Sequence, residues 1–200
     1  MQLARPWSRF VFWPRLLRLV LTPFMLALFT SETYALPFTT GRGGAGYSFL
    51  EGDKGKSSST ATVSGTGRFG YKWDEDKYFA AVDVTAYRFY KNKVFKEHQD
   101  GNNGLLVLGM EFSGSTYWLA AGAGEIRSYD RAEEKSRPYR YLVMEQQLGF
   151  SYQIYTADYA RVEIGATLDR MTPDEEWVAK TGIASINSLQ IDIGFKLFNW

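Results

Sequence analysis

The sequence predicts an all-β fold: eight antiparallel strands that run up and down and close into a transmembrane barrel behind a cleaved signal peptide. Three observations predict it. Apolar and polar residues alternate with a period of two in eight separate segments, the pattern of strands with two unlike faces. The links between those segments are short and long by turns, as in a barrel with tight turns at one end and open loops at the other. After Ala35 no apolar run approaches the roughly 20 residues that a membrane helix needs, whereas a spanning strand needs only about 9–11 residues, every second one apolar.

The chain begins with Arg5, Arg9, Arg15 and Arg18, continues with an apolar run from Leu19 to Thr30 interrupted by Pro23, and then reads Ser31-Glu32-Thr33-Tyr34-Ala35. A basic start, a short apolar centre and small residues at the −3 and −1 positions of a cut after Ala35 make residues 1–35 a secretory signal peptide. Residues 36–43 read as an N-terminal extension and 44–200 as one barrel domain. Of the 23 basic and 22 acidic residues, the signal carries four arginines and one glutamate, so the mature chain is near −2. It offers no basic field for nucleic acid. The absence of cysteine excludes a disulfide framework and thiolate metal sites.

The first strand, Gly44 to Leu50, sets Ala45, Tyr47 and Phe49 on one face. The second, Thr60 to Trp73, opposes Ala61, Val63, Phe69 and Tyr71 to Thr62, Ser64, Thr66 and Arg68. In the third, Tyr78 to Tyr90, Ala80, Val82, Val84 and Ala86 alternate with Ala81, Asp83 and Thr85. The fourth, Gly104 to Phe112, sets Leu106, Leu108, Met110 and Phe112 against Val107, Gly109 and Glu111. The fifth, Thr116 to Ser128, opposes Trp118, Ala120 and Ile126 to Ala121, Ala123, Glu125 and Arg127. The sixth, Tyr139 to Tyr155, opposes Leu142, Met144, Leu148, Phe150 and Tyr152 to Glu145, Gln147, Gly149 and Ser151. The seventh, Tyr159 to Arg170, turns Ala160, Val162, Ile164, Ala166 and Leu168 away from Arg161, Glu163, Thr167 and Asp169. The eighth, Ser188 to Trp200, alternates Leu189, Ile191, Ile193, Phe195 and Leu197 with Gln190, Asp192, Gly194 and Lys196. Residues 74–77, 113–115 and 156–158 form tight turns, and 51–59, 91–103, 129–138 and 171–184 are longer polar links.

The apolar stripes face lipid, because charge on a lipid face costs about 2–4 kcal/mol at the midplane. A soluble barrel would put its apolar residues inside instead. Arg68, Asp83, Glu111, Glu125, Arg127, Glu145, Arg161, Glu163, Asp192 and Lys196 are then expected in the lumen. Eight strands leave an interior only wide enough for side chains, so these ions are expected to pair and plug it. Aromatics are expected in two interfacial girdles. Tyr71, Trp73, Tyr78, Phe79, Tyr117, Trp118, Tyr152, Tyr155, Tyr159, Phe198 and Trp200 form the one at the tight turns. Tyr87, Phe89, Tyr90, Tyr129, Tyr139 and Tyr141 form the other.

On this architecture the chain, over all of 36–200, resembles the small eight-stranded outer-membrane barrels: the OmpA transmembrane domain, OmpX and the opacity-type surface proteins. The ending "GFKLFNW" is similar to the terminal aromatic strand that the barrel-assembly machinery reads in that class, which implies Phe198 and Trp200 as the assembly signal. The class pattern makes the first, third and fifth residues from the end apolar, and Lys196 departs from it, so a bulge or frayed end is expected near Leu197. The resemblance implies a monomer in the outer membrane of a diderm bacterium, with a structural or surface-interaction role. Arg88, Lys91, Lys93, Lys96, Arg131, Lys135, Arg137 and Arg140, in and beside the second and third long links, are candidates to meet lipopolysaccharide phosphates.

The residues offer little chemistry beyond this. "GRGGAG" (41–46) and "GTGRFG" (65–70) match a dinucleotide-binding spacing, but neither lies between a strand and a helix, so both read as curvature glycines. The one histidine, His98, sits in a polar link without the Ser and carboxylate partners that a base-activated nucleophile needs. No catalytic, metal or cofactor residue is assigned. The alternatives are a lipid A-modifying barrel enzyme and a soluble, exported, lipocalin-like carrier of an apolar ligand.

Overall fold

A computed structural model describes residues 35–52, 57–73, 77–129 and 139–198; the expected signal peptide up to Tyr34 lies outside them. The strands are β1 (Leu36–Gly52), β2 (Ser57–Trp73), β3 (Tyr78–Phe89), β4 (Gln99–Phe112), β5 (Ser115–Ser128), β6 (Tyr139–Ala157), β7 (Ala160–Pro173) and β8 (Ile183–Phe198), with one short helix, α1 (Glu175–Thr181), between the last two. Each pairs antiparallel with its sequence neighbours, and β1 closes the ring on β8. The eight-stranded up-and-down barrel is therefore present as expected.

Following paired residues once around the ring shows how far the strands lean. Thr40 pairs with Arg68, then Asp83, Leu105, Gly122, Glu145, Met171 and Ile186, and the path returns to β1 at Leu50, ten residues beyond its start. Such a stagger goes with strongly tilted strands around an interior that side chains can fill. At the tight-turn end, Ser113 (φ 49°) and Gly114 (φ 80°) both take the left-handed conformation that a two-residue hairpin requires.

Three expectations change. Residues 36–43 are not an extension: they pair with both β2 and β8 and form the first half of β1. Glycines at 41, 43 and 44 had hidden the alternation there. The β8 ladder runs in regular register through Phe198, so of the bulge or frayed end expected near Leu197 the bulge is absent, and a frayed end would fall on 199–200, outside the described residues. The side chain of Phe198 and the whole of Trp200 lie outside the described residues. Finally, the strands run further than expected into three of the long links, leaving 53–56, 90–98 and 174–182 between them, while the third link, 129–138, keeps its expected bounds.

The outer wall is apolar. Phe69, Val82, Val84, Leu106, Leu108, Leu119, Leu148, Leu168, Ile191 and Ile193 all stand exposed on it. The tight-turn girdle keeps Tyr71, Tyr78, Tyr117, Tyr152, Tyr155 and Tyr159 outside, but Phe79 and Trp118 are buried within the barrel. At the loop end Tyr90 and Tyr139 are outside, while Tyr87, Phe89 and Tyr141 are inside. The reason is the pleat: neighbours such as Tyr78 and Phe79 must face opposite ways.

Some inward rings lie over glycines. A Cβ on Gly149 would sit 1.9 Å from the Trp118 ring, and one on Gly109 would sit 2.2 Å from Phe79. Gly149→Ala is thus expected to push the Trp118 indole from its place, costing about 1–3 kcal/mol as an overpacked core. Urea unfolding in lipid vesicles, followed by tryptophan emission, measures it.

Candidate functional site

The interior has three tiers, and the sequence dictates each through the inward parity of its strands. Nearest the tight turns, Glu111 gathers three cations. Lys72 Nζ donates to it at 2.5 Å and Arg161 Nη1 at 3.2 Å, and Lys196 Nζ donates to its other oxygen. Lys196 also lies 4.7 Å from the centre of the Phe38 ring. Glu163 accepts from the Ser151 hydroxyl at 2.6 Å.

The middle tier centres on Asp83, which is fully buried. Arg68 grips it bidentately, Nε to Oδ1 at 2.7 Å and Nη2 to Oδ2 at 2.8 Å. Arg42 adds a third bond to Oδ2 at 2.8 Å. Both guanidiniums lie on the Trp118 ring, 4.5 and 4.6 Å from its centre. The two glycine-rich stretches thus each deliver one arginine to the same carboxylate. From Trp118 a chain of amides runs across the lumen: its Nε1 donates to Gln147 at 2.9 Å, and Gln147 donates to Asp169 at 2.8 Å. Gln190 donates to the other Asp169 oxygen at 2.9 Å. Thr167 donates to Asp192, and Asn103 to Glu145. Buried charges held this way keep hydrogen-bond partners, the condition under which a polar interior is tolerated.

The third tier, at the loop end, is apolar. Leu50, Phe89, Phe95, Ile126, Tyr141, Val143, Met171, Trp177, Ile183 and Ile186 form one buried cluster across the mouth. Two loops contribute to it. In the link after β3, Asn92 Oδ1 accepts from the amides of Val94 (2.8 Å) and Phe95 (2.7 Å), a local turn that aims Phe95 inward. In the link after β7, α1 is capped by Asp174, whose side chain accepts from the Trp177 amide at 2.9 Å and, through its other oxygen, from the Leu142 amide of β6 at 3.0 Å. Gly182 ends the helix at φ 72°, a conformation glycine adopts without penalty. Trp177 is fully buried, its ring 5.1 Å from that of Tyr141 and 5.9 Å from that of Phe95.

Of the ten residues expected in the lumen, Arg68, Asp83, Glu111, Glu145, Arg161, Glu163, Asp192 and Lys196 point inward. Glu125 and Arg127 do not. They stand on the outer wall, paired to each other at 2.5 Å, while the inner face of β5 carries Trp118, Ala120 and Ile126. The expectation had β5 inverted, because Ala and Gly at 120–124 fit either face and the apolar interior beside β5 looks like a lipid stripe. Arg42, Lys72 and Asp169 complete the interior set. Lys72 and Asp169 share parity with Arg68 and Thr167 and were legible on that ground; Arg42 was hidden in the supposed extension.

Glu125 and Arg127 belong to a rim outside the apolar belt. Arg88, Asp100, Arg127 and Arg140 are successive partners on β3, β4, β5 and β6. Arg88 donates twice to Asp100, at 2.6 and 3.0 Å, and this holds the Asp100 carboxyl below its usual range. The Arg127 hydrogen bond does the same for Glu125, and Arg140 stands 3.8 Å from that carboxylate. These pairs are solvent-screened and add little stability. Lys91, Lys93 and Lys96 are exposed in the link after β3, whereas Arg131, Lys135 and Arg137 lie outside the described residues. His98 stacks on Tyr129, ring centres 4.9 Å apart, with Nε2 3.8 Å from Asp100.

No protein-family model matches the chain, and no curated protein matches it. Solved structures do. The chain is similar to Neisserial surface protein A (16% identity, TM-score 0.52), over 80% of this chain and 96% of that one. It is also similar to Ail, the attachment invasion locus protein of Yersinia pestis (10% identity, TM-score 0.54), over 82% of this chain and all of Ail. The fold is that of the small eight-stranded outer-membrane barrels.

Proposed function

We propose that this chain is a non-enzymatic barrel of the bacterial outer membrane, plugged from within, whose role is structural or a surface interaction at its loop end. The observation that carries the reading is the pairing of an apolar outer wall with an ionic interior. Ile191 and Ile193 are 64% and 63% exposed while Asp192 between them is 7% exposed. In water that wall would be a large sticky patch, which argues against a soluble carrier; in acyl chains it is at home. The filled lumen and the apolar mouth favour a closed barrel over a pore.

On this reading the cleaved leader exports the chain, and the assembly machinery reads the Phe198–Trp200 end. The rim of Arg88, Arg140 and the link lysines then faces the phosphates of lipopolysaccharide. Reconstitution into planar bilayers tests the plug: the protein, once shown to be folded by its heat-dependent gel mobility, is expected to give no step conductance. Stable ion-conducting steps would overturn the closed-barrel reading.

A further inference from the structure

Among the described residues, the outer wall carries one arginine that the rim does not include. Arg170, on β7, is exposed, and it makes no hydrogen bond or ion pair with any described residue, unlike Arg88, Arg127 and Arg140. Its direct partners on the neighbouring strands are Gln146 of β6 and Asn187 of β8. Two residues toward the tight turns, the next outward row is Leu148, Leu168 and Leu189, again direct partners. This polar triad and leucine row line a groove of about 680 Å³ that opens on the outer wall, on its lipid-facing side. On β7 the next outward residue toward the loops is the exposed Thr172, so the apolar row ends there at Arg170, whereas on β6 Met144 and Leu142 stay exposed beyond Gln146.

An unpaired guanidinium is a poor residue to leave at that height. Even near an interface, arginine on a lipid face carries some cost, and a long side chain escapes it by reaching for a polar group at the membrane surface. A phosphate relieves it best, since the guanidinium fork matches two phosphate oxygens. The flanking amides narrow the choice. Gln146 can donate and accept, and Asn187, whose Nδ2 also donates to the Ser185 hydroxyl at 3.5 Å, keeps its oxygen as an acceptor and one amide hydrogen, so the pair suits a head group bearing hydroxyls and amide-linked chains. A glycerophospholipid can also carry head-group hydroxyls, but its chains are ester-linked and only accept, so the amide-linked chains are what set the two classes apart. The leucine row is an acyl-sized floor directly beneath.

We infer that the Gln146–Arg170–Asn187 triad and the groove below it form a docking site for one phosphorylated, acylated amino-sugar lipid of the outer leaflet, its phosphate on Arg170 and an acyl chain along Leu148, Leu168 and Leu189. This rests on the membrane reading above but names a site and a ligand class that the loop-end rim does not.

The test is native mass spectrometry of the full mature barrel released from detergent micelles. Diphosphoryl lipid A, the same lipid chemically dephosphorylated, and phosphatidylglycerol are titrated separately. The wild type is expected to retain one diphosphoryl lipid A. Arg170→Ala should weaken that by about tenfold or more, the loss of a charge-assisted contact, and Arg170→Lys, which keeps the charge but not the fork, should fall between the two. Dephosphorylated lipid and phosphatidylglycerol should be retained no better than by the alanine variant. Equal retention by Arg170→Ala overturns the site. Equal retention of phosphatidylglycerol overturns the amino-sugar assignment, and a paired species lost in Arg170→Ala would give the groove to a second copy instead. Vesicle flotation of the wild type, run first, separates these from failure of the membrane reading, which a protein left unbound would signal.

Discussion

Asp83→Ala should destabilise the barrel by about 3–5 kcal/mol, the penalty for stranding buried charge by removing its partner. Asp83 is fully buried and is the common acceptor of two buried guanidiniums. Its removal leaves Arg42 and Arg68 facing each other over Trp118, with the nearest compensation in carboxylates that already serve Gln147, Gln190 and Thr167. Arg42→Met is the informative contrast. It keeps the bidentate Arg68–Asp83 pair and deletes a side chain whose Nε is buried without a partner, so its loss should be clearly smaller. Urea unfolding in vesicles, with the temperature of the gel-mobility shift as a second readout, ranks the two. Equal losses would mean that the carboxylate is not the hub.

Trp177→Ala should cost about 3–5 kcal/mol locally, the usual range for emptying a buried tryptophan site. Its ring is the piece of α1 that inserts between Phe95 and Tyr141. The seven-residue helix is too short to persist without such packing. Its loss is expected to free 174–182 for proteolysis and fast amide exchange while the strands stay protected, because each strand keeps its ladders on both sides. The same variant should remain non-conducting, since the Glu111 and Asp83 tiers lie below the mouth. Step conductance in Trp177→Ala would show that the apolar cap, and not the ionic filling, closes the barrel.

What the sequence made legible follows from how each signal arises. Alternation is a local property, and where bulky apolar residues mark one face, as in Leu106, Leu108 and Met110 or in Leu189, Ile191 and Ile193, both strand and facing could be read. Where small residues dominate, the period survives and the facing does not. β5 was inverted for that reason and the start of β1 was missed. Partnership is not local at all. Asp83 meets Arg42 across 41 residues through the shared neighbour β2, and Glu111 on β4 meets Lys196 on β8 across 85, a separation that only ring closure brings together. The apolar mouth is invisible to a reading that places the lumen by its charges alone, since such a lumen is polar throughout. Its key residue, Trp177, sits in a segment read as a polar link, yet Asp174 three residues before Trp177 and Gly182 just past Thr181 were a visible start and stop for a helix.

On the function proposed above, the apolar face looks out at lipid and the ionised face is sealed within. Single fluorescent labels at Leu119, Ile191 and Ile193, compared with one at Thr66 on the inner face, test it in vesicles carrying quencher on the acyl chains. Strong quenching at the first three positions and weak quenching at Thr66 is the expected result. The Leu119 label also decides the facing of β5. Quenching at Thr66 with shielding of Ile191 and Ile193 would contradict this arrangement and mean that the wall is turned the other way.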